Sequence, residues 1–314
     1  MKAAANAWER FWFAPQPTST LALVRIAFGL VVLGWSVALL PVAGALFRPG
    51  GAQPAPPAYE PGMWGVLNAW NSDAVAVALL VALIAAAAAV TVGFLTRLAA
   101  LVVFVGLISL HARNPFVLNS GDTLLRGTAF FLLLAPAGAS FSVDAFLRRG
   151  RAALTEFPAR APWALRLIQV QLSILYLSSA WSKVRGTTWN DGTALGYALG
   201  LDDLRRLPFP HFLLDSAAIM NALTWGTLVL EVSIGVLIWN RVLRPYAIAA
   251  GLALHLGIDY SLRVGFFGLA IVVSYVAFVP PDAASRLLTR IASARGVRVR
   301  TTRGRARTGA RAGT

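Results

Sequence analysis

Apolar residues fall in long unbroken runs along this chain, not in the alternation of a strand or the one-sided stripe of a surface helix. Residues 73–95, DAVAVALLVALIAAAAAVTVGFL, carry no charge after the first position. A run of about 18 or more such residues reads as a membrane span, because about 20 residues of helix cross the hydrocarbon layer. Eight stretches can be marked in this way, at 20–46, 73–95, 98–111, 122–136, 163–181, 217–239, 245–258 and 264–279. The third, fourth and seventh are short for a full crossing, so they must tilt, draw in flanking polar residues or be shielded by other helices. The predicted fold is an all-α polytopic bundle of about eight spans. An aromatic-rich segment at 1–17 reads as an interfacial helix, the membrane domain covers 18–281, and 282–314 form a basic, largely disordered tail.

Composition agrees: 57% of residues are hydrophobic and 13% charged, against roughly 45–50% and about 25% in soluble domains. The net charge of +15 would suit a nucleic-acid partner, but its distribution argues against one. Nine arginines and no acid lie between Arg286 and Arg311, directly after the last apolar run. Basic residues in that position anchor a chain to anionic lipid and set its topology. Arg148, Arg149, Arg151, Arg160, Arg241 and Arg244 fall in alternate connections, which places both termini in the cytoplasm and the 183–216 connection outside the cell (plasma) membrane. The chain has no cysteine, which excludes thiol nucleophiles, cysteine-bound zinc, iron–sulfur clusters and disulfides. Three scattered histidines, His111, His211 and His255, point to no metal site.

Ionisable residues inside spans are costly, so each needs a partner or a task. Arg25 and Glu231 are candidates for a buried ion pair between the first and sixth spans. Asp122 and Arg126 have the i,i+4 spacing of a salt bridge along one helix. His255 can bond a neighbouring helix. Lys183 stands out because every other basic residue except Lys2 is arginine. Burial can strip a lysine of its proton, which arginine does not permit. Lys183 ends the fifth run beside the Asn190-Asp191-Gly192 turn, with Trp181 and Trp189 as candidates to desolvate it. A retinal Schiff base fits poorly, since that lysine sits mid-helix.

Three blocks carry a resemblance: RNPFVLNSGDTLLRGTAFFLLLAPAGASFSVDAF at 113–146, LSSAWSKVRGTTWNDGTALGYAL at 177–199 and LEVSIGVLIWNRVLRPYAIAAGLALHLGI at 230–258. In order and spacing they resemble the HTTM domain, the membrane module shared by vitamin K-dependent gamma-glutamyl carboxylase and many bacterial proteins. The resemblance implies a reduced quinone of the menaquinol or vitamin K hydroquinone type as cofactor, with Lys183 as the base that deprotonates it and His255 as a second catalytic residue. It also implies that Trp189 helps to shape the pocket and that a secreted peptide or protein is the substrate; Trp181, Asp191, Glu231, Arg25 and Asp122 are further pocket candidates from their place in or beside the spans. The carboxylase has another histidine near the position of Gly121-Asp122, where this chain has none, and its large soluble domain has no counterpart expected here. The reading is therefore a quinol-linked or carboxylase-like membrane enzyme working at the outer face. Its alternative is a non-enzymatic membrane partner for the maturation, export or immunity of a secreted peptide.

Overall fold

The computed structural model describes residues 2–53, 64–117, 119–207 and 210–294. Ten helices organise them: α1 (Lys2–Phe13), α2 (Ser19–Leu39), α3 (Asp73–Val92), α4 (Thr96–Arg113), α5 (Ser120–Leu134), α6 (Trp163–Lys183), α7 (Ala217–Leu237), α8 (Arg244–Ser261), α9 (Phe267–Val276) and α10 (Pro281–Ala294). Shorter helical turns fill the connections. A two-residue ribbon pairs β1 (Gln16–Pro17) antiparallel with β2 (Ala159–Arg160). All eight apolar runs contain helix, but only Ser19–Phe47, Asp73–Val92, Thr96–Arg113 and Ala217–Leu237 are long and apolar enough to cross a membrane. A fifth span would need α9 and α10 to act as one, and they meet at 105°. The chain is therefore a helical membrane protein with four or five candidate spans among the described residues, and the expected count of about eight is not reached by this measure. The reason lies in composition. Helices α6 and α8 have the length, yet they carry Gln169, Gln171, Lys183, His255 and Asp259 among their apolar residues.

Local sequence explains where the helices begin and how closely they pack. Ser72 caps α3 by accepting the Val75 N–H at 3.3 Å, and Ser216 does the same for Ile219 at the start of α7. Val24, Phe28 and Val32 of α2, with Leu80, Leu83, Val103 and Leu107 of α3 and α4, form the fully buried centre. Helices α2 and α3 approach closely because position 29 is glycine: a Cβ there would stand 2.7 Å from the Thr91 backbone nitrogen.

Two expected ion pairs are replaced by other contacts. Arg25 is fully buried, but it donates to the carbonyls of Ala137 (3.4 Å) and Phe141 instead of meeting Glu231. It lies near the start of α2, which packs on α3 and α9, whereas α7 packs on α6 and α8. Asp122 makes no ion pair with Arg126 among the described residues. It accepts the Asn119 N–H at 3.0 Å while the Asn119 side chain accepts from Gly121 and Asp122. This reciprocal box forms because the first N–H groups of a helix have no partner inside it. Residues 282–294 of the segment read as a largely disordered tail belong to helix α10, which buries Ala284, Leu288 and Ala292 on one face against α2. Residues 295–314 lie outside the described residues.

The tight α3–α4 turn shows how a short connection is held. Gly93 ends α3 in the left-handed region at φ 72°, and Leu95 follows at φ 44°. Asp144, on the short helix Val143–Arg149, accepts from the Leu95 N–H (2.8 Å), the Thr96 N–H (2.9 Å) and the Thr96 hydroxyl (2.6 Å). Burial pushes this carboxyl up, but the Thr96 and Leu95 donors and the Arg148 charge hold it below the usual carboxylate range. A depressed folded-state pKa adds stability above the unfolded value of about 4, and that stability disappears as pH falls through the folded value. Asp144→Asn should therefore cost about 1–2 kcal/mol at neutral pH. It should also flatten the acid limb of a thermal-denaturation profile taken from pH 6 to pH 3. An unchanged acid limb would show that Asp144 does not contribute.

Candidate functional site

Helix α6 places Tyr176, Ser179 and Lys183 on one face, because steps of three and four residues bring side chains round to the same side. Lys183 Nζ donates to Ser179 Oγ at 3.1 Å and to Glu231 Oε1 on α7, and stands 4.9 Å from the Trp189 ring centroid. Although Lys183 is the last residue of α6, it meets α7 well inside that helix. Glu231 lies about 21 Å along α7 from Ala217 at 1.5 Å per residue. The Lys183 side chain is 21% exposed and that of Glu231 8%, so the pair is mostly shielded from water.

His255 enters from α8 and is buried. Its Nε2 bonds the Tyr176 hydroxyl at 2.7 Å, and Tyr176 in turn bonds Tyr275 of α9. Phe267 stands edge-on to the imidazole, with centroids 5.2 Å apart. Between these groups lies a cavity of about 580 Å³, lined by Lys183, Glu231, His255, Tyr176, Gln171 and Phe267 together with serines of α6 and apolar residues of α5 and α6. Three buried atoms on its lining residues, Gln171 Oε1, Glu231 Oε2 and His255 Nδ1, have no hydrogen-bond partner among the described residues. Leaving such an atom unmet costs about 1–3 kcal/mol. The cavity thus offers an ammonium, a carboxylate and an imidazole to a ligand.

Of the residues singled out from sequence, Lys183, Glu231 and His255 come together here, with Trp189 against the ammonium. Trp181 does not desolvate the lysine. It is 60% exposed and carries Arg185 over its ring at 4.7 Å. Asp191 is exposed in the turn before Gly192, Asp122 is occupied at the start of α5, and Arg25 is held beside Gly93. None of the four lines the cavity. Tyr176, Tyr275 and Ser179 are site residues not singled out from sequence. The signal for two of them was present: counting back from Lys183 by four and seven reaches Ser179 and Tyr176. Among the described residues, no three of His, Asp and Glu converge as a metal site would require.

A family model for the HTTM domain matches residues 13–283. No curated protein and no solved structure matches the chain.

Proposed function

Because the chain belongs to the HTTM domain family, we propose that it is a quinol-linked, carboxylase-like membrane enzyme whose reacting groups are those of the Lys183–Glu231–His255 cavity. The observation that carries this reading is that Glu231 and His255, which line one cavity, each have a buried atom without a partner, Oε2 and Nδ1. A quinol fits those atoms: it brings hydroxyl donors to both, while Leu124, Ile174, Leu175 and Phe267 supply the apolar wall that its ring and isoprenoid tail require.

A bound quinol supplies two electrons and two protons to the chemistry. Glu231 Oε2, buried and without a partner among the described residues, is free to accept a proton. Lys183 Nζ, held on Glu231 Oε1 and Ser179 Oγ, exchanges its proton with that carboxylate, so the lysine takes part in proton transfer together with Glu231 instead of as a lone dry base. His255 Nδ1 orients a ligand oxygen, with the ring fixed from behind by Tyr176 on Nε2. Trp189 covers one side of the ammonium against water.

Lipid extraction and mass spectrometry of the detergent-purified protein should recover a quinone. His255→Ala, which removes the free nitrogen and leaves the ion pair in place, should lower the recovered amount by about tenfold. Finding no quinone beyond that carried by an unrelated helical protein from the same membranes would end this reading. Lys183→Arg keeps the charge but cannot give up its proton. It should retain quinone and lose quinol turnover, and normal turnover would remove Lys183 from proton transfer. A peptide-dependent phenotype that survives Lys183→Arg, with no bound quinone, would instead favour the role of partner to a secreted peptide.

A further inference from the structure

A second cavity lies at the opposite end of α5, formed where β2, the α3–α4 turn and the 135–148 segment meet. Its volume is about 670 Å³, and Arg97, Arg148 and Arg160 line it with one acid, Asp144. A smaller cavity of about 260 Å³ adjoins it, lined by Arg148, Arg149 and Arg160. Both oxygens of Asp144 are already engaged by Leu95 and Thr96. None of the four arginines forms an ion pair among the described residues. Arg148 and Arg149 donate to the carbonyls of Gly138 (3.1 Å) and Ala139, contacts that fix the guanidinium groups without neutralising them. The cluster is an excess of positive charge, held in place at Arg148 and Arg149.

Its surroundings decide which anion suits it. Phe94, Leu95, Leu98 and Leu147 are all exposed large apolar residues around these arginines. A free phosphate or a soluble polyanion has no use for that rim. A phospholipid satisfies both parts, with its phosphate accepting from the planar guanidinium forks and its acyl chains covering the leucines. Basic pockets at the cytoplasmic ends of helices hold anionic headgroups in this way. We infer that the Arg97–Arg148–Arg160 cleft is a binding site for the phosphate headgroup of an anionic phospholipid, separate from the proposed quinol cavity and from the arginine-rich tail.

Native mass spectrometry of the full-length protein, titrated with phosphatidylglycerol or phosphatidylcholine, tests the assignment. The wild type should retain phosphatidylglycerol selectively. Arg97→Gln/Arg160→Gln should weaken it by about thirty-fold for the two charges removed, and the matching double lysine variant should restore part of the affinity. Neither Arg97 nor Arg160 donates to a buried group, so both variants should fold, as their unchanged melting temperature would verify. Replacing Arg303, Arg305 and Arg311 by Gln should leave retention intact. Inorganic phosphate at equal concentration should not displace the lipid. Equal binding of the two lipids, loss only in the tail variant, or displacement by inorganic phosphate would each overturn the assignment.

Discussion

Lys183→Met is expected to destabilise the protein by about 3 kcal/mol, and Glu231→Met by about half as much. Removing one member of a buried ion pair leaves the other charge without compensation, and burial sets the size of the loss. The Glu231 side chain, 8% exposed, would keep only a weak contact to Ser179 at 3.5 Å. The Lys183 side chain, 21% exposed, would keep Ser179 and the face of Trp189, so its stranding costs less. The double variant Lys183→Met/Glu231→Met should return to within about 1 kcal/mol of the wild type, since an apolar pair of similar volume avoids desolvating either charge. Thermal unfolding of the four proteins in one detergent measures the cycle. Additive losses in the double variant would show that the two side chains do not interact. Quinone turnover should be lost in all three variants, which separates the pair's chemical task from its contribution to stability.

Gly93→Ala should cost about 2–5 kcal/mol, combining a left-handed backbone for an L-residue with overpacking. Position 93 has φ 72°, and a Cβ built there falls 2.0 Å from Arg25 Nη1. Arg25 cannot move aside freely, because it is fully buried and bonded to the carbonyls of Ala137 and Phe141. Gly50→Ala serves as the comparison: its φ is 79° with open space around the Cβ, so it carries the backbone strain alone. The difference between the two melting temperatures isolates the crowding against Arg25 and against Ser142, whose Cβ would stand 2.4 Å away. Equal losses would mean that both Arg25 and Ser142 relax and do not lock the α3–α4 turn.

The arginine that the sequence suggested as Glu231's partner therefore has a different task, and the reason is positional. Both residues were recognisable as costly charges within apolar runs. Nothing local distinguishes Arg25 from Lys183 as the partner of Glu231, because Lys183 and Glu231 are 48 residues apart and meet only through the offset of α6 against α7. Asp122 was misassigned for a different reason. The i,i+4 spacing to Arg126 is a real pattern, but the unmet N–H groups at the start of α5 compete for the same carboxylate and are closer. Trp181 and Trp189 look equivalent on either side of Lys183. The helix ends between them, so one ring turns outward under Arg185 and the other folds back over the ammonium.

By itself the sequence determined that this is a helical membrane protein of the HTTM family, where its helices begin, and that Lys183 and His255 are unusual. These properties are local: a run of about twenty apolar residues satisfies its backbone only as a helix when it lies in lipid, and a capping residue acts within one turn. The tertiary structure alone decided that Glu231 faces Lys183, that Tyr176 holds His255, that a cavity lies between them, and that Arg97 joins Arg148 and Arg160 in one cleft. Those pairings depend on how each helix is rotated and shifted against its neighbours, which is fixed by the sum of many small packing contacts spread along the whole chain.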